Sequence, residues 1–572
     1  MRTSPEDWHA PGQKPRHSSH PATLLALGLS SSFLLSLGLP NEVFRLGMPL
    51  LGLVALIPLY VALRGCRSYG MAALVTGLFG ACQHAMSSYW LYFFQDFAFW
   101  TIGISTAAYA VVYSVLGLYL GLILRRSGAG RPLAFAAMWA GFEYLKSNGF
   151  LGYPWGLIPY SLTGVLPLLQ IADVTGVYGI SALLAFANAS LAELLAGKPS
   201  PMISRSEGSL LHHRTLSRNP LTGRQMRGYL VAAALAILLT AGYGWARMGI
   251  RIPEIGSFRA LLVQQNNDPW LVGEEAGLSA NVELAERALA EGGAKPDIVV
   301  FSETSLRRPY AEFRQYFSTE PAGHPLIPFI AKTGVPLLTG APVVTDWKTF
   351  TATNSVLLIG ADPRLVASYA KIHPVPFAEA IPFWDLAWFR NFVQKVVGLD
   401  SGWALGKDYT LFRLETRGGS FSFGTPICFE DAFPEVCRPF FLSGADLLIN
   451  LTNDSWSKTV SAEIQHWAAA RFRSIEFRRT LVRSTNGGLS CVVGPYGELL
   501  AAMPLFEASS RIVEVPVYRT AAPTFYESHG DLFAALLVLL SATWSIILMG
   551  REHDRGSVRR RRTHEHNRIP LG

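Results

Sequence analysis

About 20 consecutive, mostly apolar residues are what an α-helix needs to cross the hydrocarbon layer of a membrane, and this chain repeats that pattern. The runs are Ala22 to Leu39, Leu46 to Leu63, Met71 to Tyr92, Trp100 to Leu124, Leu133 to Tyr144 with its flanks, Gly179 to Leu195, Tyr229 to Ala246 and Leu532 to Met549. They predict an α-helical bundle of eight transmembrane spans, with Glu143 and Lys146 shortening the fifth. Residues 251 to 525, between the last two runs, have an ordinary soluble composition. Two architectures therefore share one chain: a basic tail over 1–21, a seven-span membrane domain over 22–249, a soluble domain over 250–525, an eighth span over 526–550 and a basic tail over 551–572.

Lys and Arg resist translocation, so basic connections stay cytoplasmic. The N-terminal tail carries Arg2, Lys14 and Arg16; the second connection has Arg64 and Arg67, and the fourth Arg125, Arg126 and Arg131. The sixth holds Lys198, Arg205, Arg214, Arg218, Arg224 and Arg227. By contrast, the first offers Arg45 against Glu42, and the third Asp96 with no basic residue. This alternation places the soluble domain outside the cytoplasm and the tail with Arg559 to Arg562 inside. No small-residue cleavage site follows the first run, and Pro40, Asn41 and Glu42 lead into another span, so it reads as an anchor rather than a signal peptide.

The net charge of +8 is a topology signal, because the basic excess flanks apolar runs, and it argues against a nucleic-acid partner. Five cysteines, Cys66, Cys82, Cys428, Cys437 and Cys491, are too few and scattered for a disulfide framework, and none has zinc-ligand spacing with histidine. A pairing of Cys437 with Cys491 stays open. Within the membrane half Gln83, His84, Glu143 and Asp173 are polar residues that face a cavity or a neighbouring helix. Gly152 to Ser161 (GYPWGLIPYS) is too rich in Pro and aromatics for plain helix and reads as an interfacial or re-entrant segment lining a lipid entrance.

From Phe258 onward short β-rich runs alternate with helical stretches, which predicts an α/β or α+β sheet domain. Three runs end in a residue with chemistry: Glu303 closes DIVVFSE, Lys371 closes VASYAK and Cys428 closes FSFGTPIC. Reactive groups gather where strands end in open sheets. A thiol at neutral pH needs a base to become a nucleophile; Glu303 fits that role in a desolvating pocket, and Lys371 fits stabilisation of a tetrahedral oxyanion. His373 and His466 are read as packing or hydrogen-bonding residues.

The order Glu, Lys, Cys on three strand ends resembles the carbon-nitrogen hydrolase, or nitrilase, superfamily, which implies an α-β-β-α sandwich. Combined with the spans, the chain resembles the apolipoprotein N-acyltransferase family. VQQNNDPW (Val263 to Trp270), AKIHPVPFAEAIPF (Ala370 to Phe383), ICFEDAFP (Ile427 to Pro434), NLTNDSW (Asn450 to Trp456), RSTNGG with VVGPYG (Arg483 to Gly497) and GYPWG carry that resemblance. It implies Glu303 as general base, Lys371 as oxyanion-stabilising residue and Cys428 as nucleophile, with Glu379 as a supporting second glutamate. It also puts Glu430 and Trp270 on mobile loops near the site. Two departures stand out: Phe429 replaces the Tyr that commonly follows the nucleophile, and Ser457 and Lys458 stand where Phe and Gly are expected.

The resemblance implies a ping-pong acyl transfer in a bacterial inner membrane, from a glycerophospholipid to the N-terminal diacylglyceryl-cysteine of an apolipoprotein. It implies a monomer and no metal or nucleotide cofactor. A membrane-tethered amidase or nitrilase shares every catalytic residue and is the first rival reading; a non-enzymatic membrane binding protein is the second.

Overall fold

The computed structural model describes residues 21–94, 98–196, 221–397 and 402–566. The N-terminal tail with Arg2, Lys14 and Arg16, the connection residues Asp96, Lys198, Arg205, Arg214 and Arg218, and the last six residues lie outside the described residues.

Helices stand at all eight apolar runs. Among the described residues five are long and apolar enough to cross a membrane: Pro21–Gly38, Thr101–Arg126, Val177–Leu195, Gly223–Gly249 and Leu532–Gly550. Tyr69–Ser87 and Arg131–Ser147 fill the third and fifth runs. In Gly223–Gly249 the side chains of Leu238, Leu239 and Trp245 are exposed, an apolar surface that water would disfavour and acyl chains accept.

The second run is broken into Pro49–Gly52 and Ile57–Gly65. Pro58, lacking an N–H and crowding the carbonyl four residues earlier, cannot continue a helix through this point. Backbone groups released by the break need partners inside a bilayer. Asn188, from the helix Val177–Ala196, supplies them: its amide donates to Gly52 O at 2.8 Å and its Oδ1 accepts from Leu56 N at 2.9 Å.

Among the described residues twelve strands follow: β1 (Glu254–Gln264), β2 (Ile298–Val300), β3 (Leu337–Asp346), β4 (Thr351–Ile359), β5 (Leu365–Ala370), β6 (Phe412–Thr416), β7 (Gly419–Gly424), β8 (Leu447–Thr452), β9 (Thr480–Thr485), β10 (Cys491–Val493), β11 (Leu499–Ala502) and β12 (Ser509–Tyr518). They form two six-stranded sheets, ordered β12-β1-β2-β3-β4-β5 and β11-β10-β9-β8-β7-β6. Each has a parallel centre, β1-β2-β3 and β7-β8-β9, flanked by antiparallel edges.

Alternation along β1 explains the packing, because successive side chains leave opposite faces of a strand. Phe258, Ala260 and Leu262 share one core with Phe412, Phe421 and Phe423 of the second sheet, with the Phe258 and Phe421 rings 5.8 Å apart. Leu261 and Val263 instead meet Leu278 and Val282 of the helix Glu274–Ala290 and Phe329 and Ile330 of Leu326–Thr333. Strand β8 (LLINLT) is buried throughout, as a central parallel strand requires.

Between β8 and β9 stand two helices, Val460–Ala470 and Phe472–Phe477, separated at Arg471. Arg471 is turned to the membrane half, donating to Thr163 O at 2.7 Å. Arg478 makes a second junction, pairing with Asp173 at 2.7 Å. Asp173 also holds Tyr243 and Arg247, so its partners are ionic and structural.

Candidate active site

Glu303, Lys371 and Cys428 all sit just beyond C-terminal strand ends. Strand β2 stops at Val300, so Glu303 lies in the turn after it; Lys371 follows β5, and Cys428 opens a short 3-10 turn, Cys428–Ala432, after β7. The turn replaces the expected strand at TPIC. It is stabilised by Asn450 of β8, whose amide donates to Pro426 O at 3.0 Å and Cys428 O at 3.1 Å. Cys428 itself has φ +50°, a left-handed conformation that L-residues adopt at some energetic expense and that recurs at functional turns.

Glu303 is held from three directions. Asn354 Nδ2 donates to its Oε1 at 2.8 Å, Asn453 N donates to its Oε2 at 3.0 Å, and Lys371 Nζ lies 3.6 Å from Oε1. Gly340 of β3 passes so close that a Cβ there would lie 2.7 Å from Glu303 Cα and closer still to Thr304 N. Lys371 Nζ donates to Glu379 Oε1 at 2.8 Å, and Glu379 Oε2 accepts from Val375 N at 2.8 Å. Asn354 also reaches Glu379 at 3.2 Å, joining both carboxylates to one amide.

Burial sets the electrostatics. Desolvation raises the Cys428 thiol well above its ordinary range, and the Glu303 charge pushes it the same way while Lys371 opposes. Desolvation also raises Glu303, against the pull of Lys371. For Lys371, burial opposes its charge, but Glu379 and Glu303 outweigh it and keep the ammonium protonated. The group thus holds a protonated thiol, a carboxylate whose proton affinity is raised by burial, and a fixed cation. Such a set can pass the thiol proton to a carboxylate as sulfur attacks a carbonyl, and can meet the charge that develops on oxygen with an ammonium.

Glu430 corrects the expectation of a mobile loop. It is fully buried and accepts from Ile427 N at 2.8 Å, Ile372 N at 2.7 Å, His373 N at 2.8 Å and the Tyr369 hydroxyl at 3.0 Å. One side chain therefore ties the Lys371 strand end to the turn before Cys428. A carboxylate satisfying three main-chain donors is fixed by them. Trp270, in contrast, is 39% exposed on a turn, with its ring edge-to-face to Phe94 of the membrane half at 5.6 Å.

Phe429 supplies no hydroxyl but packs: its ring is stacked on Trp155 at 5.3 Å with 9° between planes. This also corrects the reading of GYPWG. Trp155, Gly156, Leu157 and Ile158 are buried inside the protein rather than facing lipid. Their irregular backbone is satisfied by the two charges that shortened the fifth run: Glu143 accepts from Ile158 N at 3.1 Å, and Lys146 Nζ donates to Trp155 O at 2.7 Å. His84 and Gln83 make local contacts with Ser105 and Ser87. Ser457 donates to buried Glu463 at 2.7 Å, while Lys458, at φ +53°, pairs with Asp268 at 2.7 Å. All five cysteines are free, so Cys437 and Cys491 do not pair.

Several site residues were not singled out from the sequence: Asn354, Asn453, Asp454, Asp431 and Arg483. His466, read from the sequence as a packing or hydrogen-bonding residue, hydrogen-bonds to Asp454 and Asp431. The available signal was NLTND at the end of an apolar run, a fourth strand end with polar residues.

These features define a nitrilase-type domain, built on two sheets and carrying a half-buried cysteine beside a buried lysine and two glutamates, joined to an apolar helical half. Residues 31–190 match the family model described as apolipoprotein N-acyltransferase N-terminal domain, and residues 259–523 match carbon-nitrogen hydrolase. Apolipoprotein N-acyltransferase 2 of Treponema denticola is 39% identical over 512 residues, covering 89% of this chain and 94% of the relative. Apolipoprotein N-acyltransferase of Borreliella burgdorferi is 31% identical over 522 residues, covering 90% and 94%. Among solved structures, Saccharomyces cerevisiae Nit3, of the nitrilase superfamily, matches with TM-score 0.33 and 19% identity over 47% of this chain and 93% of that one. The chain belongs to the apolipoprotein N-acyltransferase family, a family of acyltransferases.

Proposed function

We propose that this protein N-acylates the N-terminal diacylglyceryl-cysteine of apolipoproteins, the last step of bacterial lipoprotein maturation, using a glycerophospholipid donor and a Cys428 thioester. The observation that carries the reading is the position of the thiol. Half-buried Cys428 lies beside Glu303 and Lys371, and its neighbour Phe429 stacks on Trp155 of the apolar half. Both substrates carry acyl chains, and a site joined to the lipid-embedded half receives them without drawing the chains through water.

In the first half-reaction Glu303 accepts the thiol proton while Sγ attacks the donor's ester carbonyl, Lys371 stabilises the oxyanion, and Glu303 returns the proton to the departing lysophospholipid oxygen. In the second, the acceptor's amine attacks the thioester carbonyl, an amide forms and the C–S bond breaks. Glu379 and Asn354 keep Lys371 and Glu303 in register.

The architecture that goes with this function is eight crossings, with spans at 22–249 and 526–550 enclosing an α-β-β-α sandwich over 250–525. Arg64, Arg125, Arg126 and Arg131 favour cytoplasmic even-numbered connections, which puts the catalytic domain on the outer face of the inner membrane. The enzyme acts as a monomer.

Mass spectrometry tests the reading directly. The purified protein, incubated with phosphatidylethanolamine, is expected to gain one acyl group on the peptide containing Cys428 and to lose it to an added diacylated lipopeptide with a free α-amine. Free fatty acid as the sole product would identify a hydrolase instead.

A further inference from the structure

A second buried polar network reaches the same sulfur. Asp454, two residues beyond β8, has Oδ1 4.0 Å from Cys428 Sγ, the outer limit of a thiol hydrogen bond. Its other oxygen accepts from His466 Nδ1 at 2.7 Å; His466 Nε2 lies 2.9 Å from Asp431 Oδ1, and Asp431 Oδ2 lies 3.1 Å from Arg483 Nε. Arg483 also approaches Asp454 at 3.8 Å. His466, Asp431 and Arg483 are almost completely enclosed, whereas 12% of the Asp454 side chain remains accessible. The row alternates in sign from the thiol inward: carboxylate, imidazolium, carboxylate, guanidinium.

Attack on an ester needs no such group. A negative charge beside the sulfur opposes thiolate formation, and Asp454 is among the causes that raise the Cys428 thiol, after burial and Glu303. Burial works against the Asp454 charge, but His466 and Arg483 outweigh it and hold the carboxyl below its ordinary range. A charge maintained at that expense beside a nucleophile has a cation as its natural ligand. The proposed reaction brings one there, since the α-amine of the acceptor arrives largely as an ammonium near neutral pH.

We infer that Asp454 binds the α-ammonium of the acyl acceptor beside the Cys428 thioester, with His466, Asp431 and Arg483 as its positioning residues. The assignment rests on the aminolysis proposed above. The ammonium loses one proton to solvent as it becomes nucleophilic. A second passes by way of Glu303 to the departing sulfur as the C–N bond forms and the C–S bond breaks. The thiol is regenerated and no further reactant is required. Water and neutral alcohols can hydrogen-bond to Asp454 but lack the charge attraction an ammonium gains there, so the same residue favours transfer over hydrolysis.

The test separates the half-reactions in full-length protein in detergent, with phosphatidylethanolamine as donor and a synthetic diacylglyceryl-cysteine peptide as acceptor. Asp454→Asn is expected to lower kcat/KM for the acceptor about tenfold to a hundredfold, the range for a hydrogen bond to a charged group. The single-turnover release of lysophospholipid should fall much less, the free fatty acid share of product should rise, and Asp454→Glu should recover part of the acceptor kcat/KM. Equal losses in both half-reactions, or an unchanged acceptor kcat/KM, overturn the assignment.

If Asp454→Asn does not fold, the wild-type enzyme decides the question. An acceptor analogue carrying trimethylammonium in place of the amine, which pairs with Asp454 by charge alone, should inhibit at least about tenfold more tightly than its uncharged tert-butyl isostere, and equal inhibition constants overturn the assignment. Failure of wild-type enzyme to acylate the peptide at all, with a thioester present, overturns the acyl-transfer reading itself and the ammonium site with it.

Discussion

Replacing Glu430 probes how the proposed nucleophile, Cys428, is held, because this carboxylate joins two strand ends through four donors. In Glu430→Ala the main-chain N–H groups of Ile427, Ile372 and His373 lose their acceptor in a fully buried place. Each orphaned buried donor costs about 1 to 3 kcal/mol, so roughly 3 to 9 kcal/mol is lost if no water enters. That is comparable to the whole stability of a typical domain, about 5 to 15 kcal/mol. Glu430→Gln is milder. Its carbonyl can still serve Ile372 and His373, which share Oε1, but its amide then faces Ile427 N, leaving one donor orphaned at about 1 to 3 kcal/mol. Thermal unfolding in detergent, followed by tryptophan fluorescence, should rank wild type above Gln above Ala. Because Ile427 directly precedes Cys428, the Gln variant should also form its acyl thioester more slowly, by about tenfold to a hundredfold for a displacement near 1 Å. An Ala variant with the wild-type melting temperature and rate would refute this account of Glu430.

Lys371→Met should reduce thioester formation by roughly a hundredfold to a thousandfold through loss of the proposed oxyanion donor, read as lysophospholipid released per turnover. Gly340→Ala, which forces β3 against Glu303, should depress the same rate while the far-UV spectrum stays that of the wild type; full activity would show that the turn has room to move. His466 supplies a pH signature. Burial lowers its basicity, yet Asp454 and Asp431 raise it to about 9 in the folded protein from an ordinary 6.5. Its stabilising charge is therefore complete below pH 6.5 and lost as pH rises through about 9. The melting temperature should fall across that interval, and His466→Gln should flatten the fall between pH 7 and 9.

Much of this organisation is legible in the residues because it depends on local composition. Apolar length locates helices at all eight runs, and alternation in β1 assigns its two faces. The strand-end positions of Glu303, Lys371 and Cys428 follow from the β-rich runs that precede them. GYPWG was placed at the membrane on its Pro and aromatic content, which is the same whether such a segment faces lipid or is wedged under an active site. The burial of Glu430, placed by the resemblance on a mobile loop, is not legible, since nothing near it in sequence announces the Ile372 and His373 amides.

What the sequence determined by itself was the division into an apolar helical half and a sheet domain, together with the residue types available for chemistry. Both follow from interactions between near neighbours, which leave periodic marks. The tertiary structure decided which polar groups meet: Asn354 between two carboxylates, Asn453 N on Glu303, and Asp454 joined to His466, Asp431 and Arg483 from three other elements. Such contacts form between groups far apart in the chain, because buried charges are tolerated only with partners. The partner is chosen by packing, and no spacing in the sequence records it.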